Sequence, residues 1–154
     1  MDGPPAIEPI GLQLTRTAKV VSRAFDEALG ESGGTVAMWQ VLVSLKAQHH
    51  AAQRNLAQAV GIEGPTLTHH LNRLETAGYV TRTRDPQNRR VHQVELTEQG
   101  EQAFRRLRTT VAAFDRQLRD GLSETEVARL ASLLTRLRTN VARPEPTPEL
   151  ETTS

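Results

Sequence analysis

Between Pro65 and Leu74 the chain sets hydrogen-bonding side chains among leucines at 67, 71 and 74. At 100° per residue those leucines fall inward. Pro65, His69, Asn72 and Arg73 then face outward, with Thr66 and Thr68 on the flanks. The chemistry such a face can do is hydrogen bonding to the edges of base pairs: asparagine with adenine, arginine with guanine or a phosphate, threonine methyls with thymine. His70 lies beside the leucines and reads as a packed or capping histidine. Ten residues on, Arg84, Arg89 and Arg90 surround the turn Asp85-Pro86-Gln87-Asn88. An arginine carried on such a tip suits the strong negative potential of a narrow minor groove. Asp85 and Asn88 are placed to hold that arginine, and Gln53, Arg54 and Arg84 to contact phosphates.

The rest of the composition narrows the classes. The chain has 154 residues, enough for about one domain. Aromatics make up only 3%, so the core must come from Leu, Val and Ala, which favours helices. Absence of cysteine excludes disulfides, thiolate metal sites and thiol switches. His49-His50 raises the question of a metal. Adjacent residues point to different sides of a helix, and no carboxylate stands at helical spacing with them, so neither metal nor cofactor is expected. No apolar run approaches the roughly 18 residues that span a bilayer, and Met1-Asp2-Gly3-Pro4-Pro5 lacks the features of a secretion signal. These observations predict a soluble cytoplasmic protein with no membrane partner. The net charge is only +1, but Gly64–His92 holds five arginines against two acids. No nucleophile elbow, phosphate loop, HExxH or dinucleotide fingerprint is present, so no enzyme is expected.

The elements that must position these residues follow from periodicity. Ile10, Leu14, Ala18, Val21, Phe25 and Ala28 form the stripe of a first helix ending near Gly30. Thr35 can cap a second helix over 36–47, a third should run over 53–60 to a left-handed Gly61, and a fourth begins at Gly64-Pro65. From Tyr79 the period changes to two, and two strands flank the Asp85–Asn88 turn as a hairpin. Thr97 can cap a long helix to near Gly121, and Ser123-Glu124-Thr125-Glu126 reads as the capping box of a last helix reaching Val141. Residues 1–9 read as an irregular lead-in and 143–154, RPEPTPELETTS, as a disordered tail. The predicted fold class is therefore mostly α with a small β-hairpin (α+β), one domain over 10–142.

Two short helices joined at a glycine, followed at once by a hairpin with a basic tip, make a winged helix-turn-helix over about 36–96. The stretches Asn55-Leu56-Ala57, Val60 to Thr68, Leu71 to Glu75, Gly78-Tyr79-Val80, Asp85 to Arg90, and Val94-Glu95-Leu96-Thr97 with Gly100 resemble the MarR family of bacterial transcriptional regulators. The resemblance covers roughly Gln13 to Val141. It implies a homodimer in which helices over about 10–30 and 98–142 interlock. It also implies sequence-specific binding of double-stranded DNA, and a small-molecule effector held between the dimerisation helices and the winged domain. Phe25, Met38, Trp39, Phe104 and His49 or His50 are the candidates for lining such a cleft. One departure stands out: the family usually has Asp at the position of Asn88, where it orients a wing arginine, and the neutral amide should hold that arginine less firmly.

Independently of the resemblance, the apolar stripes at Leu14–Ala28, Phe104–Leu118 and Leu130–Val141 exceed what one small winged domain can cover. A dimer predicts a pseudo-palindromic operator with half-sites about 10 base pairs apart and binding that weakens steeply with salt. With no evident recruitment surface, repression by blocking polymerase is the simpler action. The rival from another class is a winged helix used only for protein contacts. Its exposed helix face would be acidic or apolar, which Thr66, Thr68, His69, Asn72 and Arg73 oppose.

Overall fold

The computed structural model describes residues 7–48 and 50–142. His49, most of the expected lead-in and the whole expected tail lie outside the described residues. The chain divides into two compact units, Met1–Asp115 and Arg116–Ser154.

In the first unit, α1 (Ile10–Glu31) and α2 (Val36–Gln48) precede α3 (Gln53–Val60) and α4 (Gly64–Thr76), with strands β2 (Val80–Arg84) and β3 (His92–Leu96) and the start of α5 (Glu98–Leu118) following. The capping expectations hold atom by atom. Met38 N–H donates to Thr35 Oγ1 at 3.1 Å. Thr97 Oγ1 accepts from Gly100 N–H at 3.0 Å and donates to the Gly78 carbonyl, tying the start of α5 to the end of the helix-turn-helix. Gly61 closes α3 with φ 73°, a left-handed conformation that a Cβ would penalise, and this bend turns the chain into α4.

Sequence periodicity missed one element. Residues His50–Ala52 form a short strand, β1, whose backbone pairs antiparallel with β3 (Ala51 opposite Val94), giving a three-stranded sheet of order β1-β3-β2 in place of a bare hairpin. Three residues are too few to display a period of two, and the pairing that makes them a strand lies more than forty residues away.

The core of this unit is aliphatic. Leu29, Val41, Leu42, Leu45, Leu56, Leu67, Leu71, Val80, Val94 and Leu107 are fully buried. Helix α2 sits at its centre, touching α1, α3, α4 and the sheet, which is why its apolar residues span most of its circumference. Leu67, Leu71 and Leu74 seat α4 on this core, so the predicted inward stripe is the observed one.

The second unit carries the last turn of α5 and α6 (Glu124–Val141). The predicted capping box is present: Ser123 N–H donates to Glu126 Oε2 at 2.8 Å, and Glu126 N–H to Ser123 Oγ at 3.2 Å. No residue of α6 is buried in the single chain, and Leu130, Leu133, Leu134 and Val141 are exposed.

A basic cleft between the second helix of the turn and the wing

Seating α4 by its leucines leaves Pro65, Thr66, His69, Asn72 and Arg73 exposed, as the helical spacing requires. Thr68 is half-buried instead. Its hydroxyl donates to the Gly64 carbonyl at 3.0 Å and accepts from Gln53 Nε2 at 2.9 Å. Thr68 and Gln53 therefore brace α3 against α4, a role that neither residue's type revealed. Arg54 and Arg84 are exposed. His70 is half-buried beside the core stripe with its ring 5.8 Å from that of His69, in keeping with a packed histidine.

The wing turn is built by its acceptors. Asp85 Oδ1 accepts the backbone N–H groups of Gln87 (2.7 Å) and Asn88 (3.2 Å), and Asp85 Oδ2 accepts from Gln93 Nε2 at 3.3 Å. The first two of these contacts to act on its charge, the Gln87 N–H and then the Gln93 amide, hold the Asp85 carboxyl below the usual carboxylate range. Asn88 Oδ1 accepts the backbone N–H of Arg90 at 3.2 Å. Asp85 and Asn88, expected to hold a wing arginine, hold the backbone of the turn, the N–H of Arg90 included. The reason is local geometry, since an Asx side chain reaches the N–H two residues on more readily than a guanidinium beyond it.

Arg89 and Arg90 are both exposed at the tip, but only Arg90 lines the cleft between the wing and the helices. That cleft, about 990 Å³, is also lined by Gln53, Arg54, Thr68, Arg82 and His92, and among the described residues no carboxylate lines it. Arg82 is paired with Glu75, so the positive charge of this wall comes from Arg54 and Arg90, and in a concave wall such charge concentrates a potential that draws in a polyanion.

Arg82 escaped the sequence reading as a site residue, although its signal was present. In β2 it shares the face of buried Val80, and so points at α4. There its guanidinium meets Glu75 Oε2 through Nε (2.9 Å) and Nη2 (2.5 Å), and Asn72 Oδ1 through Nη2 at 2.6 Å. Asn72 and Glu75 stand three apart on one helix face, the spacing that lets a single arginine join both.

Among the described residues expected to line an effector cleft, the aromatic rings are engaged in ring contacts. Phe25 packs on Phe114 at 5.1 Å, and Trp39 stacks on Phe104 at 5.6 Å with Lys46 Nζ over the Phe104 ring. Flat rings offered to one another become core contacts. Met38 instead lines a cavity of about 200 Å³ with Gly34, Thr35, His70, Arg73 and Tyr79, beneath α4. No group of three or more metal-binding side chains occurs among the described residues. No helix among them is long and apolar enough to cross a membrane.

Comparison with known proteins places this architecture. The MarR family model matches residues 35–92, which hold α2 to the start of β3. A cysteine-to-serine variant of E. coli MarR complexed with operator DNA is 26% identical, with 89% of this chain and 99% of that chain covered and a TM-score of 0.77. The transcriptional repressor CouR, bound to a 23-mer DNA duplex, is 29% identical over 84% of this chain and 92% of that chain, with a TM-score of 0.78. BpsR of Bordetella bronchiseptica, whose DNA binding is regulated by 6-hydroxynicotinic acid, shares the fold at 23% identity over 84% and 98%, with a TM-score of 0.75. The helix-turn-helix over residues 35–92 is that of the MarR family of winged helix-turn-helix DNA-binding transcriptional regulators, a family that is not enzymatic, and the helices around it share the fold of that family's solved structures.

Proposed function

We propose that this protein is a ligand-responsive repressor that binds a pseudo-palindromic operator as a homodimer. The observation that carries the reading is the arginine-bearing cleft between the helices and the wing, together with the exposed face of α4 that carries His69, Asn72 and Arg73. In this reading α4 enters the major groove, where Thr66, His69, Asn72 and Arg73 meet base edges and Thr68 supports them. Arg90, or Arg89 beside it, enters the adjacent minor groove, and Gln53, Arg54 and Arg84 contact phosphates. Residues 10–142 work as one domain whose two units each contribute to the dimer. Support for dimerisation comes from Ile10, Leu12, Leu14 and Val20 of α1 and from Leu130, Leu133 and Leu134 of α6, all exposed in the single chain. The effector arm rests on the Met38 cavity, because a molecule held there meets Arg73 of the reading helix from below.

A gel-shift titration against the upstream intergenic DNA, with excess competitor and a salt series, tests the reading. A discrete complex of one dimer per site is expected, with log affinity falling linearly in log salt. Arg90→Ala should weaken that complex about tenfold while leaving the fold intact, on the scale of one lost charge-assisted contact. Unchanged affinity in this variant would sink the wing assignment, and a complex that vanishes into competitor would sink specific binding.

A further inference from the structure

The contact between the wing and α4 constrains how Asn72 can read DNA. A free asparagine amide recognises adenine by pairing both of its ends at once: Oδ1 accepts from the adenine amino group while Nδ2 donates to N7. Here Oδ1 is already engaged by Arg82 Nη2 at 2.6 Å. The orientation of the amide is fixed by chemistry, because guanidinium only donates and must therefore meet the oxygen. Arg82 is itself held. Glu75 Oε2 takes two of its N–H groups, and its side chain is only 18% exposed against the sheet. The oxygen keeps a second lone pair, but that pair lies beside a positive charge, which opposes a further donor such as the adenine amino group. The amide N–H groups are affected in the opposite sense, since polarisation by the guanidinium makes them better donors.

We propose that Asn72 reads the operator as a hydrogen-bond donor alone, favouring guanine, whose N7 and O6 both accept, or thymine, whose O4 accepts, over adenine, whose N7 stands beside an amino donor that the engaged Oδ1 does not meet. Arg82 and Glu75 are then positioning residues that set this preference without touching the base. The inference rests on the reading above that the outer face of α4 meets base edges. It goes beyond that reading by assigning the class of base at one position.

The experiment is selection of bound duplexes from a randomised pool, followed by affinities for all four bases at each position. It is run on the full chain, its Asn72→Ala variant and its Arg82→Ala variant, with melting curves for each. Asn72→Ala should flatten the preference at one position per half-site, and at that position the unaltered protein should prefer guanine or thymine over adenine by about fivefold, the scale of one hydrogen bond. Arg82→Ala frees the oxygen and should move the preference there toward adenine. The inference is overturned if the position that Asn72→Ala flattens is an adenine in the unaltered protein. A loss spread evenly over all bases and positions overturns it too, because Asn72 would then contact phosphate. So does a folded Arg82→Ala variant with an unchanged profile. Should Arg82→Ala fail to fold, the comparison of the unaltered protein with Asn72→Ala decides alone. Selection of no sequence by the unaltered protein would overturn the DNA-reading proposal itself, before any variant is compared.

Discussion

A single carboxylate organises the wing. Asp85 gathers the N–H groups of Gln87 and Asn88 and the amide of Gln93, so both the turn and strand β3 depend on its charge. Its pKa is lowered in the folded state, chiefly by the Gln87 N–H, so the sign of the linkage is fixed. The contribution is complete at neutral pH, begins to fade as pH falls below about 4, the range of a free carboxylate, and is lost once pH drops through the depressed native value. Amide exchange at Gln87 and Asn88 should therefore lose protection in acid before the core amides do, and unchanged protection through that window would remove Asp85 from this role. Asp85 and Asn88 were legible as wing residues because Asx side chains at a Pro turn have few other uses. That they grip backbone and leave the arginines free was not legible, since the choice depends on turn geometry.

At the scale of elements, packing is decided at a few close approaches. Gly100 in the first turn of α5 faces the backbone carbonyl of Tyr79, and a Cβ there would overlap that oxygen and press on the Leu96 side chain at 3.1 Å. Gly100→Ala should destabilise the protein by about 1–3 kcal/mol, the usual cost of overpacking, because the Tyr79 backbone cannot yield as a flexible side chain would. A thermal melt checks this, and a variant as stable as the parent would mean that the start of α5 shifts freely. Ser123 caps α6 and accepts from Glu126 N–H. Ser123→Ala should cost about 1 kcal/mol of helix stability, read as lowered helicity or earlier exchange in α6. The serine was readable from four letters, Ser123 to Glu126, because a capping box is a purely local device. The role of Gly100 needed the fold, since its partner lies twenty-one residues away.

For the whole molecule the question is what covers α1 and α6. Their exposed leucines, isoleucine and valines are too many to leave in water and are spaced as helix faces. On the proposed homodimer, Leu134→Glu, a charge placed on the α6 face, should sediment as a monomer at concentrations where the parent is expected to sediment as a dimer. Operator affinity should fall at least a hundredfold, because a monomer engages one half-site without the second. A dimeric Leu134→Glu variant with full affinity would place the interface elsewhere.

The order of helices, the turn at Gly61, the hairpin and the outward face of α4 were all determined by the sequence itself. Each follows from a period of 3.6 or 2, a glycine with positive φ, or a cap whose partner lies within four residues. What only the tertiary structure decided are the contacts between segments far apart in the chain: the pairing of β1 with β3, the brace from Gln53 to Thr68, and the engagement of Asn72 by Arg82. The residue types of Asn72 and Thr68 announced hydrogen bonding. Whether those bonds face DNA or the protein depends on which neighbour the fold brings within 3 Å, and no local pattern carries that information.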